Sequence, residues 1–243
     1  MQLKRLMHKR MPYKKLPRNF YLQPTLHIAQ QLIGKYLIRR FGDQRLIGRI
    51  VETEAYLGRR DPASHAYRGI SKRNAVMFRT GGHAYVYFTY GMHFCINVVT
   101  EEEGTGHAVL LRALEPINGF ELMMKHRHLT PPDQGNRRPA DSDLINLCNG
   151  PAKLCQAFGI DRAQNGTDLC GSEIWLAQDA VPAEGQRKSR DSSGKGRRRK
   201  ANPQENLRIR RSTRIGITSG REHRWRFYVK GSPFVSRGKP VER

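Results

Sequence analysis

Between residues 49 and 112 the chain holds one acidic strand, an aromatic hairpin and a third apolar strand, and no other feature narrows its fold as much. The run Arg49-Ile50-Val51-Glu52-Thr53-Glu54-Ala55-Tyr56 predicts a strand that turns Glu52, Glu54 and Tyr56 toward one face. Two further strand-like runs, 83–89 and 93–99, are separated by Tyr90-Gly91-Met92, a hairpin-length turn in which glycine supplies a positive φ. Tyr90 therefore belongs near the tip of a hairpin. After the turn-like segment 100–106, residues 107–114 read as a third strand, and together these strands make an antiparallel meander.

The remaining elements are shorter. Leu26, Ala29, Leu32 and Ile33 recur at helical spacing, predicting a helix over 25–34 with Thr25 as N-cap and Gly34 as its stop. Residues 36–41 and 46–56 read as strands around a Gly42-Asp43 turn. The loop 58–73 is rich in Asp, Pro, Ser, Gly and basic residues and carries His65; loops on a rigid sheet are where binding residues concentrate. Pro116 is expected to open a helix through Met124, and 130–142 to form an irregular loop. Asn149-Gly150-Pro151 reads as the start of a helix that buries Leu154, Cys155 and Phe158 and stops at Gly159. Structure is expected again at 214–217 and in a closing strand around 225–229.

The charge bounds the partner. Of the 243 residues, 44 are Lys or Arg and 21 Asp or Glu, a formal charge of +23 concentrated toward the two ends, which points to a polyanion, above all nucleic acid. The hydrophobic share, 37%, suits one good core, hence a single domain with appendages: a basic flexible arm over 1–15, a tail over 237–243, and a disordered basic insert at about 184–211. Within that insert, 186–200 contains no apolar residue. The four cysteines form no CxxC pair, so neither a zinc site nor a disulfide framework is suggested. No stretch approaches the roughly 18 apolar residues of a membrane span and no apolar h-region follows the basic N-terminus, so a soluble, intracellular protein is expected.

A Glu-x-Glu in a strand is ordinarily a solvated face. Here the segments holding Tyr56, His65, Tyr85, Tyr87 and Tyr90 all flank the acids, and aromatic faces bind nucleobases by stacking. Asn97 and Arg112 are polar residues in otherwise apolar strands, either facing outward or bound to something specific. A non-catalytic RNA- or ribosome-binding protein would account for the charge but not for Glu54 among aromatics. A glycoside hydrolase would need two carboxylates about 5–10 Å apart, a spacing Glu52 and Glu54 could fit, although the charge argues against a neutral sugar.

Several motifs are read together: Glu52-Thr53-Glu54-Ala55-Tyr56-Leu57-Gly58, Asp61-Pro62-Ala63-Ser64-His65, Arg73-Asn74, Tyr85-Val86-Tyr87-Phe88-Thr89-Tyr90-Gly91-Met92, Leu110-Leu111-Arg112-Ala113-Leu114-Glu115-Pro116, Asn149-Gly150-Pro151-Ala152-Lys153-Leu154-Cys155 and Arg226-Phe227-Tyr228. In this set the chain resembles the alkyladenine (3-methyladenine) DNA glycosylases over residues 16–176 and 214–236. The resemblance implies a single mixed α+β domain on a curved antiparallel sheet, with a protruding hairpin and helices packed around it. It implies a monomer that removes alkylated or deaminated purines from double-stranded DNA by base flipping, without metal or other cofactor and away from membranes. Cytoplasm or nucleoid, or a nucleus or organelle in a eukaryote, is the corresponding compartment. Position by position, Glu54 resembles the base that activates water, with Arg112 beside it; Tyr56, His65 and Tyr87 resemble the walls of a flipped-base pocket; Asn97 resembles a gate against guanine's exocyclic amine. Tyr90 resembles an intercalating wedge and Met92 its neighbour on the opposite strand. The chain departs from the family's pattern at 79–82, at the long 131–141 loop and at the basic run 186–200.

Overall fold

The computed structural model describes residues 13–129, 141–180 and 207–236. It is a mixed α+β domain: an open sheet of nine strands, every pairing antiparallel, with five α-helices around it among the described residues. In chain order the strands are β1 (Tyr13–Lys15), β2 (Tyr36–Phe41), β3 (Gln44–Leu57), β4 (Ala84–Thr89), β5 (His93–Thr100), β6 (His107–Asn118), β7 (Ile174–Asp179), β8 (Ile209–Ser212) and β9 (Arg226–Val229). The helices are α1 (Arg18–Tyr21), α2 (Thr25–Gln31), α3 (Phe120–His126), α4 (Asp141–Cys148) and α5 (Pro151–Ala157). The spatial order is β1-β7-β2-β3-β6-β5-β4, with β9 on β3 and β8 on β9.

β3 is the axis of the sheet. Its first half pairs with β2 and its second half with β9, while its other edge pairs with β6 along most of its length. Alternation assigns the two faces. Ala84 and Val86, Ile96 and Val98, Val109 and Leu111, and Ala55 share the main core with residues of α2 to α5. Their neighbours in sequence, Tyr85 and Tyr87, Cys95 and Asn97, Leu110 and Arg112, and Tyr56, line a cavity on the opposite face.

Uniform alternation does not hold along the whole of β3. Ile50, paired with Leu114, packs in the main core, although by simple parity it would share a face with Glu52 and Glu54. The register skips one residue on each strand between Ile50 and Thr53: Val51 is left over on β3 and Arg112 on β6. Such bulges change which face a strand presents. The paired irregularity lets both strands keep an apolar half over the helices and turn Glu52, Glu54 and Arg112 to the other side.

Several expected elements are corrected. Pro116 does not open a helix; it lies in β6 opposite Gly48, at a register shift, where a residue lacking an N–H is tolerated. The helix starts only after Gly119, whose φ of 86° ends the strand. Thr25 is not an N-cap: Pro24 occupies that position, and the Thr25 hydroxyl donates to Glu101 Oε1. Tyr13–Lys15, assigned to the arm, is a strand on β7, and residues 209–211, assigned to the insert, belong to the strand Ile209–Ser212 on β9. Asp141 and Ser142, placed in a loop, open α4. The rest of the arm, the tail, the basic run 186–200 and residues 130–140 lie outside the described residues.

Candidate active site

The cavity of about 470 Å³ is built from the sheet upward. Tyr85 on β4 lies opposite Asn97 on β5, Asn97 opposite Leu110 on β6, and Leu110 opposite Glu54 on β3, so four strands contribute one continuous row. Tyr87, two residues along β4, adds a second ring, stacked on Tyr85 at 5.5 Å between centroids and 27° between planes. From the loop after β3, His65 meets Tyr87 edge-on at 4.4 Å, and its Nδ1 shares a hydrogen bond with the Tyr85 hydroxyl at 2.9 Å. Asn74 holds that loop by donating Nδ2 to the His65 and Gly69 carbonyls, at 2.7 and 2.9 Å. Burial, aided by the Arg73 cation, lowers the His65 pKa, so its ring is neutral at pH 7. Burial pushes Tyr85 up to about 12 and Tyr87 higher still, leaving both phenols protonated.

Glu54 is wholly buried. Its Oε1 accepts the Ile215 backbone N–H at 2.8 Å; its Oε2 accepts the Tyr56 hydroxyl at 2.9 Å and, at a longer 3.4 Å, Arg112 Nη1. All three donors belong to residues that line the cavity, so the carboxylate stands one bond behind its wall. Burial raises its pKa; Arg112, the Ile215 N–H and the Tyr56 hydroxyl oppose the rise, and Glu52 adds the smallest contribution. Repulsion from Glu52 therefore carries little weight beside desolvation.

Glu52 has a different surrounding. It accepts Arg226 Nε at 2.6 Å, Arg112 Nε at 3.1 Å, the Ser236 N–H at 2.7 Å and the Ser236 hydroxyl at 3.0 Å, with none of its surface exposed. A carboxylate with four donors and no access to the cavity ties β9 and the chain near Ser236 to β3. Its four donors, three of them from β9 and Ser236, distinguish it from Glu54, whose three donors all line the cavity.

At the mouth, the β4–β5 turn carries Tyr90, 82% exposed, and Met92, 70% exposed. Tyr90 has φ 51° and Gly91 φ 68°; a bulky side chain in the left-handed region costs on the order of 1 kcal/mol or more. Asn97 is buried, donates Nδ2 to the Tyr85 carbonyl at 3.2 Å and lines the cavity, as Arg112 does. The structure thus resolves the alternative left open for both: they face the site rather than solvent.

The sequence-level assignments omitted Ile215, Arg214, Asp61, Arg226 and Ser236. Asp61 and Arg226 stood inside the matched motifs but without a partner in view. Ile215 contributes only a backbone N–H, for which no side-chain signal exists. No helix among the described residues is long and apolar enough to cross a membrane, and no group of three His, Cys, Asp or Glu is placed to hold a metal ion.

Comparison with known proteins defines the class: a DNA glycosylase, an enzyme that hydrolyses N-glycosyl bonds and acts on DNA. More narrowly, the chain belongs to the Methylpurine-DNA glycosylase (MPG) family, whose model matches residues 19–233. Proteins named "Putative 3-methyladenine DNA glycosylase" resemble it over nearly their whole length. That of Alkaliphilus oremlandii is 39% identical over 227 residues, covering 92% of this chain and 99% of the relative. Those of Carboxydothermus hydrogenoformans and Methanoculleus marisnigri are 42% and 43% identical over 222 residues, each covering 91% of this chain and 98% of the relative.

Proposed function

We propose that this chain removes alkylated or deaminated purines from duplex DNA by flipping the damaged nucleotide into the aromatic cavity and hydrolysing its N-glycosyl bond with water activated by Glu54. The observation that carries this reading is the row Tyr85, Asn97, Leu110, Glu54, which sets a desolvated carboxylate directly behind a slot walled by rings. A flipped base must be gripped by its faces and read at its edge. Tyr56, His65 and Tyr87 supply the faces, and Asn97 the edge contact that disfavours guanine's exocyclic amine. Tyr90 fills the vacated stack, with Met92 beside it.

The reaction passes through an oxocarbenium-like sugar. A carboxylate there takes a proton from water and offsets the developing positive charge. The raised Glu54 pKa makes it a stronger proton acceptor than an exposed carboxylate, and Arg112 steadies the ionised form. Among the described residues no lysine lines the cavity, which favours hydrolysis over a Schiff base and strand cleavage. A cationic base such as 3-methyladenine leaves readily and is drawn to aromatic faces; 7-methylguanine, hypoxanthine and ethenoadenine are the further candidates. The enzyme acts as an intracellular monomer wherever its DNA resides.

Single-turnover excision from duplexes carrying 3-methyladenine, hypoxanthine or ethenoadenine tests the proposal. Glu54→Gln should bind lesion DNA while losing roughly 10²–10⁴-fold in rate from the base alone, with a further electrostatic loss. Near-parental excision by that variant, or a borohydride-trapped covalent adduct, would exclude the mechanism.

A further inference from the structure

Arg214 and Asp61 form a bidentate ion pair in which neither side chain is exposed: Nη1 meets Oδ2 at 2.5 Å and Nη2 meets Oδ1 at 2.8 Å. Arg214 also donates to the Ala55 carbonyl on β3 at 2.9 Å and to the Gly220 carbonyl at 3.4 Å. Its guanidinium lies 4.7 Å from the centroid of the Tyr56 ring and 5.0 Å from that of Trp225. Asp61 in turn accepts the Ala63 N–H at 3.0 Å, closing the turn that presents Pro62 and Ala63 to the cavity.

One buried pair therefore joins three parts of the cavity wall: the turn after β3, the Tyr56 ring and the 215–218 segment. Two of the three donors to Glu54 depend on it. Ile215 is the next residue in the chain, so its N–H has a single residue of slack from the anchored Arg214, and the Tyr56 hydroxyl extends from the ring on which the guanidinium rests. Stability alone does not require such a pair, because a buried ion pair can often be exchanged for apolar side chains without loss.

We propose that Arg214 is a positioning residue for Glu54: paired with Asp61 and resting on Tyr56, it holds the 214–218 segment so that the Ile215 N–H meets the carboxylate. This rests on the reading of Glu54 as the base that activates water. The groups facing Glu54 are Arg112 from β6, Glu52 and Tyr56 from its own strand, Tyr87 from β4, Cys95 from β5 and the Ile215 N–H. Both donors that Arg214 places act to stabilise the ionised carboxylate. Letting them drift therefore makes Glu54 harder to ionise, and since the base must be ionised to work, the acid limb of the pH–rate profile moves to higher pH.

The test uses the full chain as Arg214→Lys, which keeps a cation but loses the fork, and as Asp61→Asn/Arg214→Met, which removes both charges. Glu54→Gln is the reference. Folding is followed by thermal unfolding, and single-turnover excision at saturating enzyme is measured across pH. The substrate is whichever of the hypoxanthine, ethenoadenine and 3-methyladenine duplexes the parent cleaves fastest. A folded variant should lose on the order of 10²-fold in rate, as for a misplacement near 1 Å, with its acid limb displaced upward. Parental rate and acid limb in a folded variant would overturn the proposal and leave the pair a purely structural one. Failure of both variants to fold would count the same way. Parental excision by Glu54→Gln would instead overturn the underlying reading of the base.

Discussion

Replacing Glu52 by Gln tests whether the two acids of β3 have been divided between structure and chemistry. Glu52, Glu54, Arg112 and Arg226 form a buried group with two charges of each sign. Gln keeps the volume and one acceptor, but it leaves an uncompensated positive charge and turns an amide N–H₂ toward donors. Removing one partner of a buried ion pair costs about 3–5 kcal/mol, and since Gln retains an acceptor for the Ser236 N–H, the lower end, about 3 kcal/mol, applies. With a Tm shift of roughly 2–4 °C per kcal/mol for a domain of this size, the loss is about 6–12 °C. The same charge count applies to Glu54→Gln, yet the expected outcome is opposite. Burial raises the Glu54 pKa above its unfolded value, so the folded protein binds that proton more tightly than the unfolded chain. Its contribution to stability is fully present below the unfolded pKa and is lost as pH rises through the folded pKa. The amide mimics the protonated form, and Glu54→Gln should match or exceed the parent in stability at pH 7. Urea unfolding of both variants, with m-values to verify two-state behaviour, decides it. A Glu52→Gln loss below about 1 kcal/mol, or equal losses in the two variants, would refute the division.

Three further outcomes are expected. The acid limb of the excision profile should lie above the ordinary carboxylate range, because the base is ionised only above the raised Glu54 pKa; a limb near pH 4, the usual carboxylate value, would contradict this. Tyr90→Ser should weaken lesion-specific binding far more than binding to undamaged duplex, measured by competition titration, and equal losses would make Tyr90 a simple surface contact. Deleting residues 186–200, which hold eight Lys or Arg and one Asp, should lower the slope of log K against log salt by about 0.9 for each phosphate that the run neutralises, while leaving the lesion ranking unchanged. An unchanged slope would exclude a DNA-binding role for that run.

The sequence by itself determined most of the local structure around the site. The boundaries of β2, the β4–β5 hairpin and α5 follow from alternation and from Gly42, Gly91, Pro151 and Gly159, because these signals act within a few residues of chain. The side chains that gather at the cavity, Tyr56, His65, Tyr87, Asn97 and Arg112, were legible as types in a pattern. Which face they occupied was not. Parity along β3 and β6 changes at Val51 and Arg112, and a bulge is set by the competing demands of two paired strands rather than by either sequence alone. Tertiary structure also decided the difference between Glu52 and Glu54, two residues apart on one strand. Arg226 and Ser236 arrive on Glu52 from the far end of the chain and use it up as a structural acceptor. Ile215 brings to Glu54 only a backbone N–H, whose position no side-chain pattern encodes, and so leaves that carboxylate costly to ionise beside the aromatic slot. Local pattern chooses the elements; burial and long-range hydrogen bonds, which depend on residues more than a hundred positions away, give two identical side chains of one strand their different surroundings.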